Sequence, residues 1–163
     1  MWSLDLEGII DFIEYPHARK KNYWRRLTLD ISGSRLTCRY SHTVGLIDQR
    51  RMLVFGGIND EGAIRSVFSY DYIENSVQML KEKGDLKTRI GHDMLTIGGG
   101  MFLLYGGIDP ARAGPLTDLW HLKVHLEDNP PSIHYTEEKY KNAHDHYILS
   151  WRKGFSLHYL RSE

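Results

Sequence analysis

Short apolar runs, separated by glycine-rich or charged segments, recur along the chain and predict β-strands. Residues 91–97 alternate between apolar and polar positions, a glycine pair at 99–100 marks a tight turn, and 101–105 form a second apolar run. Residues 119–124 alternate again, and 133–135 can supply a short fourth strand. This part of the chain is therefore predicted to form a sheet of four antiparallel strands.

The same pattern occurs once more, about fifty residues earlier. Strands are predicted there at 40–47, 51–55, 67–72 and 76–80. Five residues recur at a constant offset (92 − 42 = 50): Arg39, His42, Gly56, Gly57 and Ile58 return as Arg89, His92, Gly106, Gly107 and Ile108. A period near fifty residues, with a glycine pair after an apolar strand, is typical of a β-propeller blade, which stacks against neighbouring blades.

The beginning of the chain is similar to the second half of this unit. Residues 1–6 are similar to 119–124, so Trp2 corresponds to Trp120, as does Phe68 in the first full copy. Residues 23–27 are predicted as the outer strand of the same half blade. All three aromatic side chains are expected to pack between blades.

The end of the chain is similar to the first half of the unit. Residues 143–150 are similar to 91–98, and 155–159 are predicted as a second strand. The alternative for this region is a short helix over 136–147, with Thr136 as its N-cap. The predicted organisation has four parts: a half blade at 1–30 with an insertion at 7–22, full kelch-type blades at 31–81 and 82–136, and at 137–163 either a degenerate half blade or a helix followed by a hairpin.

Composition narrows the class of protein. The 163 residues carry 21 basic and 21 acidic side chains, so neither a nucleic-acid nor a membrane partner is predicted. The single cysteine, Cys38, excludes an internal disulfide framework, and no signal peptide or bilayer-spanning run is apparent. The expectation is a soluble protein of the cytoplasm, with the nucleus as an alternative.

No catalytic motif is found, and no cofactor or metal is predicted. His42, His92 and His144 recur once per repeat, so each should face a different neighbour and the three cannot converge on one ion. The chain has no Gly-x-Ser-x-Gly, P-loop, His-Glu-x-x-His or Cys-x-x-Cys pattern. An enzyme is therefore not expected.

These segments resemble the kelch family of β-propellers. The matching segments are Arg-Tyr-Ser-His at 39–42, Leu-Val-Phe-Gly-Gly at 53–57, Arg-Ile-Gly-His at 89–92, Leu-Leu-Tyr-Gly-Gly at 103–107, Asp-Leu-Trp at 118–120 and Trp24. The resemblance implies an all-β fold of kelch-type blades, each of four antiparallel strands, with about three blades' worth of sequence. Since ordinary propeller rings have four to eight blades, a second copy, another polypeptide or a missing part of the same polypeptide is expected to complete the ring.

The resemblance also implies a protein-interaction module or scaffold subunit. In that family the partner usually docks on the face formed by the loop entering the innermost strand and the loop after the glycine pair. Carried onto this chain, those loops contain Arg39, Asn59, Asp60, Glu61, Arg65, Arg89, Asp109, Arg112 and Thr117. The alternatives are solvent-facing side chains and, for Arg39 and Arg89, a structural role in capping strands.

One dense basic segment lies outside the repeats, and its cations are Arg19, Lys20, Lys21, Arg25 and Arg26. It could contact phosphates or an acidic partner, serve as a nuclear-localisation-like patch, or be a solvated insertion loop. Two alternatives to an interaction module remain for the whole chain. It could be a propeller-based enzyme (galactose-oxidase-like or sugar-binding), or it could be a truncated or degenerate kelch fragment that has no independent function.

Overall fold

The computed structural model describes residues Trp2–Leu4, Trp24–Arg26 and 38–138. The described residues form antiparallel and mixed β-sheets without any helix, so the all-β class predicted from the sequence is confirmed. Within the same residues, no helix is long and apolar enough to cross a bilayer. The chain divides into two compact units, Met1–Asp30 and Ile31–Glu163.

The strands of the described residues, in chain order, are β1 (Trp2–Leu4), β2 (Trp24–Arg26), β3 (Thr43–Leu46), β4 (Arg51–Phe55), β5 (Ile58–Asn59), β6 (Gly62–Ala63), β7 (Phe68–Asp71), β8 (Ser76–Met79), β9 (Lys81–Lys83), β10 (Asp93–Gly98), β11 (Met101–Tyr105), β12 (Ile108–Asp109), β13 (Gly114–Pro115), β14 (Leu119–His125) and β15 (Ser132–Glu138).

In the first unit, β1 and β2 pair in antiparallel register, with Trp2 opposite Arg26. This confirms the strands expected within 1–6 and 23–27 and their pairing. The insertion at 7–22 lies outside the described residues.

The first sheet of the second unit is an antiparallel meander in the order β3-β4-β7-β8. Asp48 shapes its first turn, because the carboxylate oxygen Oδ1 accepts hydrogen bonds from the backbone N–H groups of Arg50 and Arg51, both at 2.9 Å. Between β4 and β7 the chain makes a short hairpin from β5 and β6.

The second sheet repeats this meander as β10-β11-β14-β15, with a hairpin of β12 and β13 between its second and third strands. A fifth strand, β9, joins the outer edge in parallel with β15. The sequence did not predict β9, because the polar run Lys81–Lys83 has no apolar alternation. The segment 108–117, which is rich in glycine and proline, contains the β12-β13 hairpin and the buried Asp109.

One hydrophobic core joins the two sheets. Leu53 of the first sheet and Phe102, Leu104 and Ile133 of the second are fully buried in the same cluster. Gly45 in β3 permits this packing, since a Cβ atom there would lie 2.7 Å from the ring of Phe102. Alternate residues of the strands thus face the partner sheet, as the period-two pattern predicts.

The second glycine of each pair has the same conformation in both copies. Gly57 and Gly107 have φ values of 96° and 90°, a region that favours glycine. A Cβ atom at Gly57 would lie 2.7 Å from the carbonyl oxygen of Tyr40, and one at Gly107 would lie 2.8 Å from that of Ile90. Both positions therefore require glycine for conformation and for space.

The strands predicted in both full copies are confirmed, with ends that differ by a few residues. Phe68 and Trp120 occupy equivalent places, opposite Val54 and Leu104. The helical alternative for 136–147 is wrong where it can be compared, because 136–138 continue β15 in pairing with β14. The rest of that region, and with it the expected half blade, lies outside the described residues.

Candidate functional site

An open cleft of about 740 Å³ lies beside the two hairpins that follow the glycine pairs. One wall comes from the β5-β6 hairpin, a second from the β12-β13 hairpin, and a third from the segment 85–88 that leads into the second sheet. The charged side chains of its lining are Arg65, Asp85, Lys87, Asp109 and Arg112. The structure thus brings predicted docking residues from both copies into one cleft.

Equivalent backbone contacts hold the two hairpins in place. Tyr40 bridges Ile58 in the first copy, as Ile90 bridges Ile108 in the second. The carbonyl oxygen of each second glycine then accepts a hydrogen bond at the far end of the hairpin, from Ile64 at 2.8 Å and from Leu116 at 2.9 Å. Both hairpins are therefore anchored in the same way, which explains why they line one cleft.

Asn59 and Asp109, both predicted as docking residues, shape the turns of these hairpins. The Asn59 side-chain oxygen accepts hydrogen bonds from the N–H groups of Glu61 and Gly62 at 3.0 and 3.1 Å. The Asp109 carboxylate accepts one from Ala111 at 2.9 Å and is 9% exposed. Side chains of this type commonly stabilise turns, so both have a structural task. Asp60 and Glu61 are exposed at the first turn and do not line the cleft.

The charges at the cleft are predominantly basic. Arg65, Lys87 and Arg112 are exposed, and Arg65 Nε lies 3.7 Å from the Glu82 carboxylate, a loose ion pair. Asp85 is the exposed carboxylate of the lining, because the carboxylate of Asp109 is buried in its own turn. A partner group that binds here meets three cations and one accessible carboxylate.

A second cleft, of about 470 Å³, shares Asp85 and Lys87 with the first. Thr117, another predicted docking residue, lines it together with Trp120 and Glu137. The two clefts therefore adjoin along the segment that carries Asp85 and Lys87, and the second cleft reaches Glu137 of strand β15.

Arg89 was predicted as a docking residue, and the structure corrects this. Its side chain is fully buried, and its guanidinium donates to the Gly106 carbonyl oxygen at 3.1 Å and to both Asp118 oxygens at 2.9 and 2.8 Å. Asp118 Oδ2 also accepts the indole N–H of Trp120 at 2.6 Å. Burial raises the pKa of Asp118, but Arg89 outweighs this effect, so the pKa lies below its ordinary value. The structural alternative considered for Arg89 is what the contacts support.

Arg39 also donates to the carbonyl oxygen of the first glycine of its pair, but its other hydrogen-bond partners differ from those of Arg89. Its guanidinium donates to the Gly56 carbonyl oxygen at 3.1 Å, and to the carbonyl and hydroxyl oxygens of Ser66 at 2.9 and 2.8 Å. It also lies over the ring of Phe68, 5.0 Å from the ring centre. Arg39 is half-buried and does not line either cleft. A structural role therefore accounts for its contacts as well.

His92 connects the two sheets. It is buried, and its Nε2 atom lies 2.9 Å from the Thr43 hydroxyl of the first sheet. The ring meets Phe55 edge-on, with centres 5.3 Å apart. Burial and the positive charge of Arg89 lower the pKa of His92 to about 3, so the imidazole is neutral at pH 7. A structural histidine facing its own neighbour is what the repeat predicted.

The basic segment near the start of the chain is described only in part. Arg25 and Arg26 lie in β2, paired with Ser3 and Trp2, so they belong to a strand. Arg19, Lys20 and Lys21 lie outside the described residues. The predictions about this segment's partners stay predictions.

Sequence reasoning missed three charged residues that line the second cleft. Asp85 and Lys87 were not singled out, because they lie in a linking segment without periodicity. Asp118 was noted only as part of a motif, since nothing in the sequence pairs it with an arginine 29 residues earlier.

Comparison of the chain with protein-family models finds no match. Comparison with curated protein sequences likewise finds no significant similarity.

Proposed function

We propose that the two sheets are neighbouring blades of a kelch-type β-propeller, and that the chain is a protein-interaction module. The geometry of the repeat supports the proposal. Two antiparallel four-stranded meanders pack through a common core, and the fifty-residue offset is preserved in the Arg-to-Gly contact, at 3.1 Å in both copies. This is the relation that adjacent repeats of one array have.

The partner in this proposal binds at the cleft between the hairpins. The single observation that carries the proposal is the convergence of two equivalent hairpins on one open cleft, with Arg65 and Arg112 contributed by different copies. Arginine is enriched among residues that dominate binding energy at protein interfaces. A cleft of this size suits a short segment of a partner protein.

The charge at the cleft indicates the chemistry of that segment. Arg65, Lys87 and Arg112 outnumber the accessible carboxylate of Asp85. Complementary charge favours association and selects against partners of like charge. The proposed ligand is therefore a peptide segment that carries acidic side chains.

A displayed library of random peptides, selected on the purified chain, tests this function. We expect enriched peptides to carry aspartate or glutamate, and Arg112→Glu or Arg65→Glu to weaken their binding at least tenfold. Lys81→Glu is the matched control, because it makes the same charge change at an exposed residue that lines neither cleft. Selection of no peptides, or equal loss of binding in all three variants, would contradict the proposal.

A further inference from the structure

The inner two strands of each sheet have the same register, offset by fifty residues. Gly45 pairs with Leu53 in β3 and β4, and Leu95 pairs with Leu103 in β10 and β11. Because side chains alternate along a strand, equivalent residues of the two sheets project from equivalent faces. The contact between the two sheets can therefore serve as a template for the two outer faces, which are turned away from it.

Residues that are buried between the sheets have exposed equivalents on the outer faces. Ile47 and Met94 belong to the shared core, with 6% and 8% of their surface accessible. Their equivalents, Ile97 and Val44, are 39% and 45% exposed. Both outer faces thus present apolar side chains at positions that a neighbouring sheet covers within the chain.

The outer face of the first sheet is called the leading face, and that of the second sheet the trailing face. Accessible residues of the leading face include Val44, Leu46 and Met52. Further out on this face, Val54 and Phe68 are buried, so its accessible part lies on β3 and the start of β4. Accessible residues of the trailing face include Leu95, Ile97 and Leu103. No residue of either set lines a cleft, so both faces are separate from the proposed docking site.

Side-chain sizes are complementary between the leading and trailing faces. Within the chain, Gly45 leaves room for Phe102, since a Cβ atom at Gly45 would lie 2.7 Å from that ring. The equivalents are Leu95 on the trailing face and Met52 on the leading face. A larger residue thus replaces glycine where a smaller and more flexible one replaces phenylalanine. Since methionine fills irregular gaps, Met52 can pack against Leu95 in the same arrangement.

The polar contact between the sheets also has a complementary counterpart. His92 Nε2 lies 2.9 Å from the Thr43 hydroxyl, and the equivalents are His42 on the leading side and Asp93 on the trailing side. The backbone places both histidines alike, since the Cβ atom of each lies 3.0 Å from where the second glycine of its pair would carry one. A hydrogen bond from an imidazole to a carboxylate is stronger than one to a neutral hydroxyl. Asp93 accepts the N–H of Met94 at 2.8 Å, and a carboxylate has about four acceptor positions.

We propose that a second copy of this chain binds head to tail. The leading face of one copy packs on the trailing face of the other, with His42 of the first hydrogen-bonded to Asp93 of the second. Such a contact joins two different surfaces, so successive copies form a closed ring or an open filament. With two sheets per copy, a ring of about four to eight sheets needs roughly two to four copies. The contact rests on the stacking of sheets in the proposed function but not on the docking cleft, so self-association and peptide binding can fail independently.

Mixing two variants of the full chain tests this pairing of faces. Leu46→Asp disrupts the leading face and Ile97→Asp the trailing face, so analytical ultracentrifugation should show self-association at least tenfold weaker in each variant than in the parent chain. An equimolar mixture still contains one intact pair of faces and should give a complex of one chain of each variant. Formation of that complex also shows that both variants are folded.

Ile73→Asp is the matched control, because Ile73 is exposed in the turn between β7 and β8, outside both faces. Its self-association should equal that of the parent chain. A parent chain that sediments as a single copy at all concentrations would overturn the proposal, and would mean that other residues of the same chain or another polypeptide cover these faces. So would assembly that persists in both face variants, assembly that Ile73→Asp weakens equally, or a mixture of folded variants that forms no complex.

A charge exchange tests the hydrogen-bonded pair without changing the apolar residues. His42→Glu places two carboxylates together and should weaken self-association at least tenfold. Asp93→Lys in the same chain restores opposite charges, so the double variant should associate more tightly than His42→Glu alone. Thermal unfolding of dilute samples checks that these variants are folded. A double variant that associates no more tightly than His42→Glu would overturn the proposed register of the two faces.

Discussion

The two copies of the repeat place an arginine on the same glycine carbonyl, but they surround the two guanidiniums differently. Arg89 is fully buried and forms a two-pronged ion pair with Asp118, whereas Arg39 is half-buried and binds the neutral Ser66. Asp118 and Ser66 precede the aromatic residues Trp120 and Phe68 by two positions, so they are equivalent. The repeat thus conserves the contact with the backbone, while the side-chain partner differs.

This difference changes how each arginine is neutralised. In the second copy, the Asp118 carboxylate accepts hydrogen bonds from the Arg89 guanidinium and from the indole of Trp120. The three side chains therefore form one hydrogen-bonded network. In the first copy, Arg39 lies on the face of Phe68, an attraction worth about 0.5–1 kcal/mol at a partly exposed position. Arg89 therefore depends on one carboxylate, whereas Arg39 has several weaker contacts.

The largest expected effect comes from removing that carboxylate. Asp118→Ala leaves the fully buried Arg89 without its counter-charge, and we expect the free energy of unfolding to fall by about 3–5 kcal/mol. Ser66→Ala removes one hydrogen bond at the equivalent place and should cost about 1 kcal/mol, because Arg39 keeps two carbonyl partners. Urea denaturation at pH 7 measures both values. Equal losses would show that the two networks do not differ in energy.

The equivalent histidines, His92 and His42, should differ in how strongly they make stability depend on pH, and this effect is smaller than that of Asp118→Ala. Because the pKa of His92 is held at about 3 in the folded chain, protons bind this residue preferentially in the unfolded chain below its ordinary pKa of 6.5. Stability should therefore fall with pH from about 6.5 downwards, by roughly 2 kcal/mol from this residue between pH 7.5 and pH 5. His42 is far more exposed than His92. Partial desolvation and the positive charge of Arg39 lower its pKa too, so its contribution to stability has the same sign.

Urea denaturation of His92→Gln and His42→Gln at pH 7.5 and pH 5 separates the two contributions. His92→Gln should remove most of the acid-induced loss in this window, whereas His42→Gln should leave most of it in place. Asp118 does not interfere, because Arg89 lowers its pKa further from this pH window than the ordinary value of an aspartate. An unchanged pH dependence in His92→Gln would contradict the buried, neutral imidazole.

The sequence predicted those parts of the fold that depend on local chemistry. Gly57 and Gly107 were identified because a glycine pair follows an apolar run in both copies. The structure adds their positive φ values and the close carbonyl oxygens that exclude a side chain. Strands such as β4 and β11 were found because their apolar residues are continuous. Local patterns of this kind are set by residues close together in the chain.

The sequence did not predict contacts between residues far apart in the chain. Arg89 and Asp118 are 29 residues apart, and the spacing between Arg39 and Ser66 is 27, since the β12-β13 hairpin is longer than its counterpart. The arginines were therefore placed on the docking surface, although the structure gives them internal partners. Arg65 and Arg112 were predicted as docking residues because both follow a glycine pair, and the structure places both in the lining of one cleft.

An aspartate at position 66, matching Asp118 of the second copy, should change the free energy of unfolding least. The change should be a gain in stability. Ser66→Asp places a carboxylate where Arg39 already donates at 2.8 Å, so it should stabilise the chain by about 0.2–1 kcal/mol, the range for a partly exposed ion pair. The gain stays below the loss in Asp118→Ala because water already screens the half-buried Arg39. A double-mutant cycle with Arg39→Gln isolates the pair, since the gain should vanish when the guanidinium is absent. A gain that persists in the Arg39→Gln background, or a loss of stability in Ser66→Asp alone, would mean that Ser66 does not have the surroundings of Asp118.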